Sequence, residues 1–423
     1  MNKKILFIAY FYPPLAGSGV YRPLKMVEYL RNHGYYVDVL TIENINYHTT
    51  DKELLLQSKA NHIHRAKSYD PLAILSKFKK KSPSNTKPLV LNEQNKRLIN
   101  SFFPIDNKIG WLYPAYKKAN ELFKNNSYDL CFATIGPYTS ALLASKIAQK
   151  HAIPYIVDYR DHWTLNSYKF DYNPLNRVLS KYYEKKIAKK AALISCIGDV
   201  MKHELCKTFI QNEEDKCFVC YNGYDEREFE RINEEPESKK RIIRYLGTFN
   251  GNRTVKYFSK ALFELIEEGY CFNNLCFEFY GNFDSETAQY LSISKEDSLI
   301  KILPQIPHQE SINKICSAEV LLLFISSEDG QGVLTGKIFE YIRSKKMILP
   351  MIRQDGEANA ILKKLGYQKS CSMEDIDTIK SYIKQINEKT FNNYPSKDID
   401  ISFYSRENQC NQLIREIDKL FLK

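Results

Sequence analysis

The chain has 423 residues, 43% hydrophobic and 26% charged, so it has ample material for cores, which excludes wholesale disorder and collagen-like structure. At about 150 residues per domain, two or three domains are expected. Lys and Arg total 61 against 50 Asp and Glu, and the resulting +11 points to a polyanionic partner (nucleic acid, an anionic membrane surface or phosphorylated small molecules) without choosing among them.

Ile5–Tyr12 is rich in β-branched and aromatic residues and predicts a buried first strand. Two lysines before it and small residues after it also imitate a signal peptide. Pro13-Pro14 and Gly17-Ser18-Gly19 read as a loop into a helix over Val20–Asn32, and Tyr35–Thr41 is a second strand. This βαβ unit implies a parallel sheet. Residues 44–108 are polar and irregular, with a basic patch at Lys77–Lys81, and predict a surface excursion. Alternation then resumes, with helices over Trp111–Asn125, Ser140–His151, Leu175–Lys190 and Met201–Phe209. Strands fall at Leu130–Ile135, Tyr155–Val157, Ala192–Ile197 and Phe218–Tyr221.

The charged stretch Arg227–Lys240 predicts a linker. Beyond it, strands are expected at Arg241–Leu246, Leu275–Tyr280, Ile300–Leu303, Val320–Ile325 and Met347–Met351. Helices are expected over Val255–Gly269, Gln309–Ser317, Thr335–Ser344, Ala358–Leu365, Ile376–Asn387 and Glu407–Leu422. The fold class is therefore α/β, with two Rossmann-like doubly wound domains, residues 1–225 and 226–404, and a final helix, 405–423, packing back on the first. Such domains bind ligands at the carboxyl ends of their strands.

Four loops there carry candidate chemistry. Gly17, Ser18 and Gly19 precede a helix start, with Arg22 one turn in; a tight structural turn explains the glycines equally well. Asp158-Tyr-Arg-Asp-His-Trp163 follows a strand and offers Asp158, Arg160, Asp161 and His162. A carboxylate there can orient or deprotonate a hydroxyl, and the structural alternative is an ion pair of Arg160 with one Asp. Gly247-Thr248 opens a loop to Arg253, suited to a phosphate or to a solvated turn. Gly332, Thr335, Gly336 and Lys337 lead into a helix with Glu340 one turn on. Diphosphate at the helix start and ribose at Glu340 make a coherent nucleotide geometry, against a plain glycine-rich turn.

Other features read as structural. Asp375-Ile-Asp377 and Asp398-Ile-Asp400 lie outside these loops, so no metal site is expected. His62 and His64 fall in the polar excursion with no partner pattern, and the ten cysteines read as reduced thiols. No apolar run approaches the roughly 18 residues of a spanning helix. Arg177, Lys181, Lys185 and Lys189 form a stripe that is either a solvated face or a contact for anionic headgroups.

These loops, in this order, resemble the retaining nucleotide-sugar-dependent glycosyltransferases of family 4, which have the two-Rossmann (GT-B) fold. Asp158-Tyr-Arg-Asp-His-Trp163 is similar to the D-x-R-D-x-W of a bacterial surface-polysaccharide branch, and Tyr221-Asn-Gly-Tyr-Asp225 to N-G-[VY]-D at the domain junction. Arg253 falls where the family often has a diphosphate-binding Lys or Arg, Gln305-Ile306-Pro-His-Gln-Glu310 resembles the segment whose backbone meets the base, and Lys337-Ile-Phe-Glu-Tyr341 resembles the donor helix. The family's E-x7-E is incomplete, because Gly332 stands eight residues before Glu340. Glu328 or the backbone of Asp329–Val333 is the stand-in, and Thr248 stands where many relatives have Arg.

The resemblance implies lobes facing across a cleft and a metal-independent transfer with no cofactor. A sugar moves from its nucleoside diphosphate to a glycan or lipid-linked acceptor in surface-polysaccharide synthesis, with retention. Asp161 and Arg160 are the catalytic candidates. The expected setting is cytoplasmic, at most peripheral on an anionic membrane, with no nucleic acid partner. The rivals are a nucleotide-sugar epimerase of similar fold, a non-catalytic nucleotide-sugar-binding subunit and, from the charge alone, a nucleic-acid-binding protein.

Overall fold

The computed structural model describes residues 3–43, 50–70, 74, 103, 105–165, 173–232, 240–249, 251–272, 274–292 and 299–422. The basic patch Lys77–Lys81 and residues 233–239 of the expected linker lie outside them. The chain forms two compact units, Met1–Tyr221 with Gln409–Lys423, and Asn222–Asn408.

The first unit is built on a parallel seven-stranded sheet of order β3-β2-β1-β4-β5-β6-β7. The strands are β1 Lys4–Ile8, β2 Tyr36–Ile42, β3 His62–Ala66, β4 Leu130–Thr134, β5 Tyr155–Tyr159, β6 Leu193–Cys196 and β7 Cys217–Val219. β4 and β5 are buried throughout, as expected of parallel strands covered on both faces by crossover helices. The closing helix Arg406–Leu422 sends Cys410, Leu413, Ile414 and Ile417 into this unit's core.

β3 lies in a segment expected to be irregular. HIHRA has no apolar run and pairs along β2 at the sheet edge, with only Ala66 fully buried, so the hydrophobic signature of a strand is missing. β1 stops at Ile8, four residues short of the expected Tyr12, and Tyr10 and Tyr12 are buried in the loop that follows. Helices Lys52–Leu56, Glu226–Phe229 and Ser285–Leu291, absent from the sequence reading, are all shorter than the periodicity a sequence can reveal.

The second unit has a parallel five-stranded sheet of order β10-β9-β8-β11-β12. These are β8 Arg241–Leu246, β9 Leu275–Tyr280, β10 Ile300–Leu303, β11 Val320–Phe324 and β12 Met347–Met351. The helix Lys256–Glu267 buries Phe258, Ala261, Leu262 and Leu265, an apolar stripe of helical period set against the sheet. Each sheet reverses its winding once, between β1 and β4 in the first unit and between β8 and β11 in the second. At such switch points the outgoing loops splay apart and leave room for a ligand.

Among the described residues no helix is long and apolar enough to cross a membrane. All ten cysteines are free. The two D-x-D segments supply turn and cap acceptors. Asp375 caps the helix Ile376–Asn387 by accepting from the Thr378 amide, and Asp400 accepts from Ser402.

Candidate functional site

In the first unit, the loops after β1, β4 and β5 meet at the switch-point edge of the sheet. Arg22, on the helix Ser18–Asn32, is buried and grips Asp158 of β5 with two hydrogen bonds, Nε to Oδ2 at 3.0 Å and Nη2 to Oδ1 at 2.7 Å. It also donates to the carbonyls of Cys220 and Tyr221. Asp158 is fully buried and accepts from Thr134 and Ser195 as well. Burial alone would lift its carboxyl, but the Arg22 charge and these donors outweigh it and hold it below the usual carboxylate range. The structural alternative for this segment is an ion pair of Arg160 with one Asp; the partner of Asp158 is Arg22.

Arg160 donates to three carbonyls, Ile135 O at 2.8 Å, Gly19 O at 2.7 Å and Gly136 O at 2.7 Å. One guanidinium therefore ties the β1, β4 and β5 loops together. Gly136 has φ +107°, and a Cβ there would stand 2.6 Å from Arg160 Nη2, so glycine is required on both counts. Trp163 is buried and stacks on Tyr138 at 5.0 Å, and the Tyr138 hydroxyl donates to His162 O. Burial pushes the His162 imidazole down to about 4. That shift favours the neutral ring, whose Nε2 lies 2.9 Å from Glu204 Oε2. Arg22, Asp158, Arg160 and Trp163 brace the loops. Asp161 is exposed beside them, and Gly17 and Gly19 lie at the helix start.

In the second unit, the loops after β8 and β11 leave neighbouring strands. Gly247 and Thr248 follow β8, and the Tyr245 hydroxyl donates to Thr248 O at 3.0 Å. Further along this loop Arg253 brings Nε to 3.9 Å from Asp329 Oδ2, on the loop that follows β11. Arg353 clamps that second loop by donating to Ser327 O and Asp329 O. Gly332 is buried within it.

The loop ends at the helix Gly336–Ser344. Its N-cap, Thr335, makes no capping hydrogen bond, its Oγ1 is buried without a partner, and the space beside Gly336 is open. The first amides of the helix thus lack a side-chain acceptor. Lys337 Nζ donates to Glu340 Oε2 and to Ser311 Oγ, both at 2.9 Å. Ser311, on the helix His308–Ser317, gave no signal in the sequence. Ile306 is half-buried just before that helix.

Asp329 is buried, and its Oδ1 has no hydrogen-bond partner. Burial pushes its carboxyl up to about 6. In the sequence it figured only as backbone, because nothing local shows that the loop folds its side chain inward. A cavity of 1220 Å³ lies elsewhere in this unit, against Arg241 and Met347 at the amino ends of β8 and β12, far along the strands from these loops.

The sequence profile of Glycosyltransferase Family 4 matches residues 24–228. No curated protein matches the sequence. Among solved structures, sucrose-phosphate synthase from Thermosynechococcus elongatus is 11% identical, covers 100% of both chains and has a TM-score of 0.63. Anabaena HepE in complex with UDP-glucose is 12% identical over 98% of this chain and 99% of its own, with a TM-score of 0.63. UDP-GlcNAc 2-epimerase from Neisseria meningitidis, bound to UDP-GlcNAc, is 14% identical over 98% of this chain and 100% of its own, with a TM-score of 0.56. At these identities the likeness establishes the GT-B-type fold of two parallel-sheet α/β domains.

Proposed function

We propose that the chain is an enzyme that binds a nucleoside-diphosphate sugar on its second unit and acts at the bond between sugar and diphosphate. The observation that carries this is the placement of Arg253 on the loop after β8 and of Lys337 in the first turn of the helix that ends the loop after β11, two loops that leave neighbouring strands at the switch point, with the helix start uncapped at Thr335. Two cationic side chains and unpaired amides stabilise the charge that develops on a departing diphosphate. Glu340, one turn further on, suits vicinal ribose hydroxyls, Ile306 the base, and the backbone of Gly247, Thr248, Gly332 and Gly336 the close approach of ligand oxygens.

Transfer of the sugar to a glycan or lipid-linked acceptor, with retention and without a metal ion, is the first reading. The family profile over residues 24–228 supports it. Asp161, exposed beside the braced loops, is its candidate on the acceptor side, and a cytoplasmic role in surface-polysaccharide synthesis belongs to the same reading. Epimerisation of the sugar while it remains a nucleotide sugar is the second. Full-length likeness to an epimerase favours it, and so does Asp329, because a carboxyl near 6 is suited to moving a proton at neutral pH.

A thermal-shift panel of UDP-, GDP- and other nucleotide sugars tests the common core. One of them raises Tm, and Lys337→Ala, Arg253→Ala or Glu340→Ala weakens its binding about 10–100-fold. If no nucleotide sugar raises Tm, the proposal is wrong. Proton NMR of the stabilising sugar then separates the readings. A new nucleotide sugar formed without acceptor means epimerisation, and free nucleotide with a glycosylated acceptor means transfer.

The helix Pro174–Lys190 supports a peripheral membrane role. Leu175, Val178 and Tyr182 are exposed on it, flanked by Lys181, Lys185 and Lys186. Its single acid, Glu184, is buried and accepts from the Thr164 amide. An apolar strip edged by lysines suits an anionic bilayer surface. The protein is expected to float with vesicles containing about one-third anionic lipid and not with neutral ones, and Lys181→Glu/Lys185→Glu abolishes flotation. Equal flotation with both vesicle types removes the electrostatic argument.

A further inference from the structure

The amino half of the first sheet holds a cluster that none of the chemistry above uses. Asp38 of β2 pairs in register with His62 of β3, and His64 lies two residues on, so all three side chains share one face of the sheet. His62 Nδ1 is 3.0 Å from Asp38 Oδ1, and His64 Nε2 is 3.7 Å from Asp38 Oδ2. One ligand atom from each residue lies within 4.8 Å of the other two. A tetrahedral ion bonded at about 2.0–2.2 Å holds neighbouring nitrogen and oxygen ligands about 3.4 Å apart, and the two separations, each to a different oxygen of the Asp38 carboxylate, lie close to that value, so a small turn of the carboxylate brings one oxygen to both nitrogens.

The cluster is not closed by its own hydrogen bonds. His64 Nε2 is buried with no hydrogen-bond partner, a cost that a metal–nitrogen bond removes. One outer contact of the kind that orients a metal ligand is in place: the Tyr128 hydroxyl donates to Asp38 Oδ2 at 2.6 Å. The Tyr36 hydroxyl, 3.0 Å from His62 Nδ1, shares that nitrogen with Asp38 and gives up any bond to its lone pair when an ion binds. The Asp38 side chain is 2% exposed and that of His62 is 62% exposed, so the carboxylate is fixed in the core while water can reach a fourth position. Two imidazoles and one carboxylate suit a borderline divalent ion.

We propose that Asp38, His62 and His64 form a Zn2+ site that staples the edge strand β3 to β2. The ion replaces the proton held between imidazole and carboxylate, and water takes the remaining position. The site lies toward the amino ends of the strands, away from the loops after β1 and β4, so it is independent of the proposed reaction. It also explains why a strand as polar as HIHRA stays paired at an edge.

The test uses the full chain, tag-free and stripped with chelator, with Zn2+ itself as probe. Zn2+ retained after gel filtration is counted in the wild type, His62→Ala, His64→Ala and Asp38→Asn. His62 is largely exposed, so its variant is expected to fold even if the other two do not. The wild type is expected to retain one equivalent more than His62→Ala. Free Zn2+ at 100 times the dissociation constant is expected to raise the wild-type Tm by about 5 °C or more. Bound Co2+ is expected to show visible d–d bands without a near-ultraviolet thiolate charge-transfer band. Equal retention in the wild type and His62→Ala overturns the proposal. So does a thiolate band, which places the ion on cysteines.

Discussion

Arg22→Met is expected to cost the first unit about 3–5 kcal/mol, because it leaves a buried carboxylate without its counter-charge. Asp158 is fully buried, and Arg22 supplies two of its four hydrogen bonds; Thr134 and Ser195 supply the others. The same substitution releases the Cys220 and Tyr221 carbonyls, where the chain leaves the unit. The pH dependence is diagnostic. In the wild type the Asp158 carboxyl is held low, so its contribution is complete above the unfolded carboxylate pKa and fades only as pH falls through the lower folded value. In Arg22→Met the stranded carboxyl is driven up and takes a proton more readily. The gap between the two proteins is therefore expected to shrink as pH falls from 7 to 5. Urea unfolding followed on the first unit's transition measures both effects. A loss below about 1 kcal/mol at pH 7 would show that Arg22 is not the counter-charge that matters.

Asp329→Asn is expected to act in the opposite direction and stabilise the second unit by about 3 kcal/mol at pH 7. The wild-type carboxyl is raised from 3.8 to about 6 by burial, so the folded state holds a proton that the unfolded state has already released between those values. Wild-type stability from this group is complete below pH 3.8 and is lost as pH rises through 6. Arg253 lies 3.9 Å from Oδ2 and Arg353 donates to its backbone carbonyl, and neither makes a close charge-assisted bond to the carboxylate. The advantage of Asn should grow by roughly 1 kcal/mol between pH 5 and pH 7. A difference that stays flat over that interval would mean that Asp329 titrates normally. Nucleotide-sugar affinity measured in the same variant tells whether the titration matters to the site. In the epimerisation reading Asp329→Asn abolishes turnover while binding survives.

The buried carboxyl of Asp329 and the uncapped start of the helix Gly336–Ser344 fit a functional reading. A protein selected for stability alone has little reason to keep a carboxyl near 6 beside an uncapped helix start, and sites that handle charged intermediates commonly carry such groups. The braces in the first unit differ in kind. Arg22 bonds to Asp158 and to the Cys220 and Tyr221 carbonyls, and Arg160 to the Ile135, Gly19 and Gly136 carbonyls, so both tie loops of the unit together.

Much of the architecture was legible in the residues. Short unbroken apolar runs such as VLLLF and LCFAT suit strands covered on both faces and are too short for helices, and the helices between them carry the helical period, so alternation and parallel sheets followed from local chemistry. Lys337, Glu340 and Arg253 stood out as candidates for the same reason, since each sits at a fixed offset from a strand end and a helix start. What the sequence did not reveal is which distant groups meet. Arg22 and Asp158 are 136 positions apart, and Arg160 reaches back 141 positions to Gly19. Asp38 and His62 come into register only because a polar segment pairs at the sheet edge. Periodicity reports the surface that one segment must bury by itself. The partner of a buried charge or an imidazole is fixed by strand order and register, which emerge only when the whole sheet is assembled.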